Sequence, residues 1–312
     1  MVDETSATAD LVIVDVLDQF ARNFLLNDLT EEQSGKLLEA SRGAPVFQLP
    51  KREARRRDTV IGQVHQARVS VRRLRSVLKA FIDLLDPDWS APTLVELSWY
   101  AAVLGEIRDL DVLRSNIVSS LALIEEEPIR TVITGRLDRL IEVAQERGAL
   151  ERSTKRYALL VDEIATIGTS VSFDARAKGP ALEVLASQMK GTWHDVRQAA
   201  DEARDDSSNE NLHEVRIELK RLQCACEVLA LVAGKPAEKA ARAAERTQTK
   251  LGVVHDEAVA SAWLKSLVVA EPDWKKPLRD IRAFHREARK DAKRGWRESI
   301  DDVERRWRNL QG

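Results

Sequence analysis

Five basic or titratable side chains recur early in this chain at helical spacing: His65, Arg68, Arg72, Arg75 and Lys79. At about 100° per residue they fall on one arc roughly 80° wide. No acid shares that arc. Like charges at these spacings cost about 0.2–0.5 kcal/mol per pair, and ordinary solvated helix faces mix signs. An unmixed stripe suits a polyanion instead. Guanidinium and ammonium groups at a pitch of about 5 Å meet successive phosphate oxygens, with Arg bidentate where the geometry allows. A histidine at the edge of the stripe hydrogen-bonds phosphate or takes up a proton beside it.

The stripe occurs twice. The run from Val64 to Arg75 aligns with the run from Leu212 to Gln223, so that His213, Arg216, Lys220 and Arg221 take the places of His65, Arg68, Arg72 and Arg73. A second pair of segments follows, Leu104 to Asp109 and Leu251 to Asp256, both beginning Leu-Gly and ending in Asp. His65 to Arg108 is 43 positions and His213 to His255 is 42, so the two motifs keep their separation. Arg108 and His255 extend the basic surface, while Asp109 and Asp256 each pair with a basic group of their own half. The second stripe is the shorter, because Gln223 and Glu227 stand where the first has Arg75 and Lys79.

These residues must be carried by helices. Opposite the first stripe, Val64, Ala67, Val71, Leu74, Leu78 and Phe81 form an apolar arc; opposite the second, Leu212, Val215, Leu219, Leu222, Cys226 and Leu229 do the same. Helical periodicity runs through the chain and no alternating β-branched run appears, so the expected class is all-α. Prolines and glycines predict helices near 10–26, 30–41, 59–85, 91–105, 109–126, 129–147, 150–168, 181–206, 209–232, 237–252, 254–269 and 277–309. Segment 42–58, which carries the basic run Lys51 to Arg57, reads as a loop. Ser207 and Glu210 have capping-box spacing and place a helix start there.

The 312 residues, 44% hydrophobic and 32% charged, suffice for one large domain or two smaller ones. Net charge is only −2, so anion binding must come from local clustering. Two cysteines imply no disulfide framework and fit a reducing cytoplasm. The apolar stretch from Leu11 to Leu26 is broken by Asp15, Asp18 and Arg22 and serves neither as a signal peptide nor as a membrane span.

At the doubled histidine motif the sequence resembles the CHAD family, the conserved histidine α-helical domain. The resemblance rests on His, Arg at +3, a basic pair at +7 and +8 and Leu at +9, in both copies, together with the Leu-Gly-x-x-x-Asp segments. It implies two four-helix bundles related by a pseudo-two-fold internal repeat, with long helices and a basic central surface or cavity. It sets one domain over 10–312, divided into a first repeat at 10–168, with 42–58 inserted, and a second at 169–312. It also implies non-catalytic binding of inorganic polyphosphate and, in some members, association with polyphosphate granules and their proteins. CYTH-type triphosphatase domains often accompany the family; no alternating-glutamate strand motif marks one in the N-terminal residues here. Carried over by position, the ligand contacts are His65, Arg68, Arg72, Arg73, Arg75, Lys79, His213, Arg216, Lys220 and Arg221. Lys190, Arg197 and Lys250 are added because basic groups are common in the family at such places.

Three other readings compete, and one of them, a purely structural helical adaptor, leaves the basic stripes unexplained. Nucleic acid offers the same phosphates, yet aromatics make up only 5% of the chain and do not interleave with the basic residues, and the pI is 6.3. His255-Asp256 invites a metal-dependent phosphohydrolase, but the other histidines sit among arginines that repel a divalent cation. Cys224 and Cys226 point about 200° apart on a helix and cannot chelate one ion. No cofactor is expected, and no membrane partner. The basic stretch from His285 to Arg297 reads as a mixed solvated face, with Trp296 and Trp307 in the core.

Overall fold

Every residue assigned to the apolar arcs opposite the two stripes is buried, from Val64 to Phe81 and from Leu212 to Leu229. The computed structural model describes residues 7–39 and 60–311, and among them the fold is all-α: α1 (Ala9–Asp28), α2 (Glu31–Glu39), α3 (Val60–Ala80), α4 (Pro87–Ser120), α5 (Glu127–Arg152), α6 (Lys155–Ser170), α7 (Ala181–Asp205), α8 (Asn209–Ala233), α9 (Lys235–Ala270), α10 (Arg279–Lys293) and α11 (Trp296–Gln311). The only extended pairing among them is two isolated bridges, Thr8 with Pro180 and Leu85 with Phe173. The loop expected at 42–58 lies outside the described residues.

In the first half α1 packs on α3 and α6, and α4 on α3 and α5; in the second, α8 packs on α7 and α9, and α9 on α10 and α11. The stripe-bearing helices α3 and α8 pack on each other and join the halves. Helix α1 is apolar almost all round and correspondingly enclosed, with Val12, Ile13, Leu17, Phe24 and Leu25 fully buried. One core runs unbroken from α1 through α3 and α8 to Trp296 and Trp307 of α11, where Trp307 stacks on Trp193 with ring centroids 5.4 Å apart. A smaller core joins the far ends of α4, α5, α9 and α10 around Ile117, Leu137, Leu264 and Ile281. The core is thus not parted at residue 168.

Buried polar groups act as fasteners. Asp28 at the end of α1 accepts hydrogen bonds from Tyr100 (2.5 Å) and Tyr157 (2.8 Å). His285 of α10 donates from Nδ1 to Glu257 of α9 at 2.5 Å, and its Nε2 lies 2.9 Å from Ser120 Oγ of α4. Serine, histidine and carboxylate here have the order of a nucleophilic relay. Yet Ser120 is 3% exposed and His285 1%, so no substrate reaches the hydroxyl; the set holds three helices together.

Several boundaries differ from expectation, and those at glycines and at one cap have a physical reason. Helices α4 and α9 run straight through Gly105 and Gly252, which had read as breaks. Both glycines admit side chains from other helices, described below. The expected helix 277–309 begins at Arg279 and divides at Gly295, whose φ of +75° falls where L side chains are strained. The cap of α8 is Ser208, which accepts from Asn211 N at 3.1 Å, and Ser207 instead donates back to Ala203 O. The helix itself starts at Asn209, as expected, and α7 ends at Asp205.

Candidate functional site

Helices α3 and α8 are in direct contact: Arg73 of α3 bonds Glu227 of α8, and Lys79 of α3 lies near Glu218 and Glu214 of α8. This brings the stripes face to face. Arg68 and Arg72 of α3 meet His213, Arg216 and Lys220 of α8, and His255 of α9 closes the group. The rings of His213 and His255 lie 4.7 Å apart and tilted by 31°.

Two glycines make the close approach possible. A Cβ on Gly105 would lie 3.8 Å from Arg68 Nε, and one on Gly252 would lie 3.4 Å from Arg216 Nε. Each guanidinium therefore lies close over a helix, α4 or α9, at a position that carries no side chain. Four residues on from each glycine stands an aspartate. Arg68 Nη2 donates to Asp109 Oδ1 at 2.9 Å. Asp256 faces Arg216 electrostatically. Arginine, glycine and aspartate thus recur in the same relation in both halves.

Charge compensation is incomplete. Three guanidiniums, Arg68, Arg72 and Arg216, and the amine of Lys220 face the carboxylates of Asp109 and Asp256. The consequence is seen in the pKa values. Burial, followed by the repulsion of Arg216, Arg72 and Arg68, brings Lys220 down to about 6. Burial, with Arg68, Arg73 and Arg216 nearby, brings Arg72 down to about 10. His213 and His255 are both held below the usual imidazole range, mainly by burial. Burial also raises the Asp256 carboxyl. Among the described residues, the buried Arg216 Nε and His213 Nδ1 have no hydrogen-bond partner. An unsatisfied guanidinium N–H and an unsatisfied imidazole nitrogen beside an excess of basic groups leave polar capacity that an anion can help to satisfy.

The family model of the CHAD domain matches residues 46–265, a span that contains both histidine motifs and both Leu-Gly-x-x-x-Asp segments. The chain belongs to the CHAD domain family. It is 26% identical over 214 residues to the Mycobacterium tuberculosis proteins MT2285 and Rv2226, which covers 66% of this chain but only 40% of their length. The CHAD domain of the plant Ricinus communis superposes with a TM-score of 0.69 at 20% identity, over 97% of this chain and 94% of that one. PptA from Streptomyces chartreusis superposes with a TM-score of 0.66 at 17% identity, over 95% and 100%. Likeness at these identities establishes the fold.

On the CHAD fold the other candidate residues part company with this cluster. His65 is half-buried one turn before Arg68. Arg75 and Lys79 continue the stripe towards Arg221, in a mixed neighbourhood: Arg221 pairs with Asp195 (2.8 Å) and Glu218 (3.0 Å), and Lys79 faces Glu218 and Glu214. Arg75 Nε is buried with no partner among the described residues, and burial lowers the Arg75 pKa. Arg73 turns to Glu227 at 2.7 Å and lies over the ring of Phe20. Arg108 bonds Asp111 and lines a cavity between α4 and α5. Lys250 donates to Ser299 Oγ at 2.9 Å. Lys190 and Arg197 are exposed on α7 and make no hydrogen bond or ion pair with the cluster among the described residues. The acids that temper the stripe were missed from the sequence. Glu214 and Glu218 stand within the second motif itself, at i,i+4, and were its available signal. Cys224, beside Arg72, is buried and its thiol is pushed up to about 11, which marks it as packing.

Proposed function

We propose that the chain binds inorganic polyphosphate, without turning it over, in the basic seam between α3 and α8. The observation that carries this reading is the group of Arg68, Arg72, Arg216 and Lys220, drawn from both motifs and faced, among the described residues, by the carboxylates of Asp109 and Asp256. A flexible polyanion with a charge at every phosphate satisfies such a seam along its length. Granule association is the cellular consequence this binding would have.

Nucleic acid is the competing ligand. The rings in the cluster are the two imidazoles of His213 and His255, tilted against each other, and they offer no platform for stacked bases. The phosphohydrolase reading has less support. His255 is surrounded by His213, Arg216 and Lys220, and no group of three or more metal-ligating side chains forms among the described residues. Release of orthophosphate from polyphosphate with Mg2+ or Mn2+, lost in His255→Ala, would revive it.

The test is competition between long-chain polyphosphate and single-stranded or duplex nucleic acid at near-physiological salt. The wild type is compared with Arg68→Glu, Arg72→Glu, Arg216→Glu, Lys220→Glu, shown folded by circular dichroism. Preference for polyphosphate, lost in the variant, is the expected result. Equal binding of nucleic acid moves the reading to a general phosphate-backbone binder, and unchanged binding by the variant removes the seam as the site.

A further inference from the structure

Polyphosphate binding alone leaves one choice of residue unexplained: a lysine, rather than another arginine, at the centre of the seam. Lys220 is half-buried and has no hydrogen bond or ion pair among the described residues. It faces Arg68 and Arg72 from α3, Asp109 from α4, His255 from α9, and Arg216 and His213 from its own helix. Asp195 of α7, which packs on the same helix, is bonded to Arg221 instead. Three guanidiniums and two imidazoles thus neighbour one amine, and Asp109 is the carboxylate that acts on it among the described residues. Arginine stays charged in such surroundings; lysine can give up its proton.

We propose that the seam takes up a proton at Lys220 as polyphosphate binds, so that anion binding and proton uptake are one coupled event. This rests on the polyphosphate reading above. In the free protein the amine carries its lone pair, because a further cation among Arg68, Arg72 and Arg216 is repelled and poorly hydrated. The negative phosphates reverse that field. The amine then takes a proton from solvent, a new N–H bond forms, and the ammonium donates to a phosphate oxygen. Lys220 in the free protein, brought to about 6, fits this sequence. The ligand itself supplies the counter-charge that restores the lysine towards its ordinary value.

Linkage gives the sign and the window. Proton uptake on binding makes affinity rise as pH falls, by up to about tenfold per unit between pH 8 and pH 7, since one proton is involved. The rise flattens below about 6, where free Lys220 is already protonated.

The experiment is titration calorimetry of the full chain with long-chain polyphosphate at pH 8 in Tris and in HEPES, which differ in heat of ionisation. At this pH an imidazole must be raised well above its ordinary value to take up a proton, and Lys220→Arg separates uptake by the lysine from uptake by His213 or His255. The expected result is a buffer-dependent heat equivalent to on the order of one proton per site, absent in Lys220→Arg, together with a flattened pH profile in that variant. Equal heats in the two buffers for the wild type, with binding present, overturn the coupling and leave polyphosphate binding standing. Uptake that persists undiminished in Lys220→Arg removes Lys220 as the acceptor. No binding heat in either buffer overturns the functional reading and the coupling with it.

Discussion

A lysine set among arginines burdens the folded state, and the sign of that burden can be measured. Lys220 has a folded-state pKa of about 6, well below the value of an unfolded lysine. Above pH 6 the unfolded chain therefore binds more protons than the folded one, so this residue makes stability rise with pH until the unfolded lysine itself deprotonates. Lys220→Met removes the desolvated amine and keeps its aliphatic stem. We expect a melting temperature higher by roughly 2–4 °C at pH 7, a flatter stability–pH profile, and weaker polyphosphate binding. Thermal melts across pH 6–9 check all but the last. A variant no more stable than wild type would mean that the site hydrates the amine well. Arg73 gives the opposite pattern. It is bonded to Glu227 at side-chain exposures of 17% and 23%, so a carboxylate already answers its charge. Arg73→Met should cost about 1–3 kcal/mol in denaturant unfolding, while polyphosphate affinity changes far less than in Arg72→Met.

At the scale of the helix, the glycines decide what the arginines can do. A glycine in a helix interior costs about 0.5–1 kcal/mol relative to alanine, and α4 and α9 carry that cost at equivalent points. Gly252 leaves 3.4 Å between its notional Cβ and Arg216 Nε, and Gly105 leaves 3.8 Å to Arg68 Nε. Leucine at either place displaces the guanidinium that lies there. Gly252→Leu should lower polyphosphate affinity about tenfold, the equivalent of one charged contact, and Gly105→Leu should lower it less. Binding isotherms distinguish the two; equal and negligible losses would show that the guanidiniums can leave these helix surfaces without consequence. The same glycines mark how far the sequence could be read. The buried arcs of α3 and α8 follow a 3.6-residue period and were legible residue by residue. Gly105 and Gly252 look like helix ends because the reason for them lies on other helices. Gly295 does end a helix, but charged residues that suit a helix surround it on both sides. Arg73 and Lys79 share the stripe's helix, yet Glu227, Glu214 and Glu218 reach them across an interface whose register no local pattern encodes.

Across the whole molecule, 49 basic residues are balanced by 51 acidic ones, so long-range steering of a polyanion is weak. Among the described helices no segment is long and apolar enough to cross a membrane. The M. tuberculosis relatives are much longer than the region they share with this chain, which spans 40% of their length. With long-range steering weak, the binding proposed above rests on the local seam. Counterion release then gives a measurable count of the cations engaged. By the relation for single strands, neutralising phosphates with Arg68, Arg72, Arg216 and Lys220 gives a slope of log affinity against log salt of about −3. Removing Lys220 by Lys220→Met should make the slope shallower by about 0.7. Fluorescence titrations between 50 and 300 mM salt, of the order used for phosphate-directed binders, measure both values. A slope near zero would mean that uncharged hydrogen bonds hold the ligand. A slope far steeper than about −3 would mean that basic residues outside the seam, those on α7 among them, also track the chain.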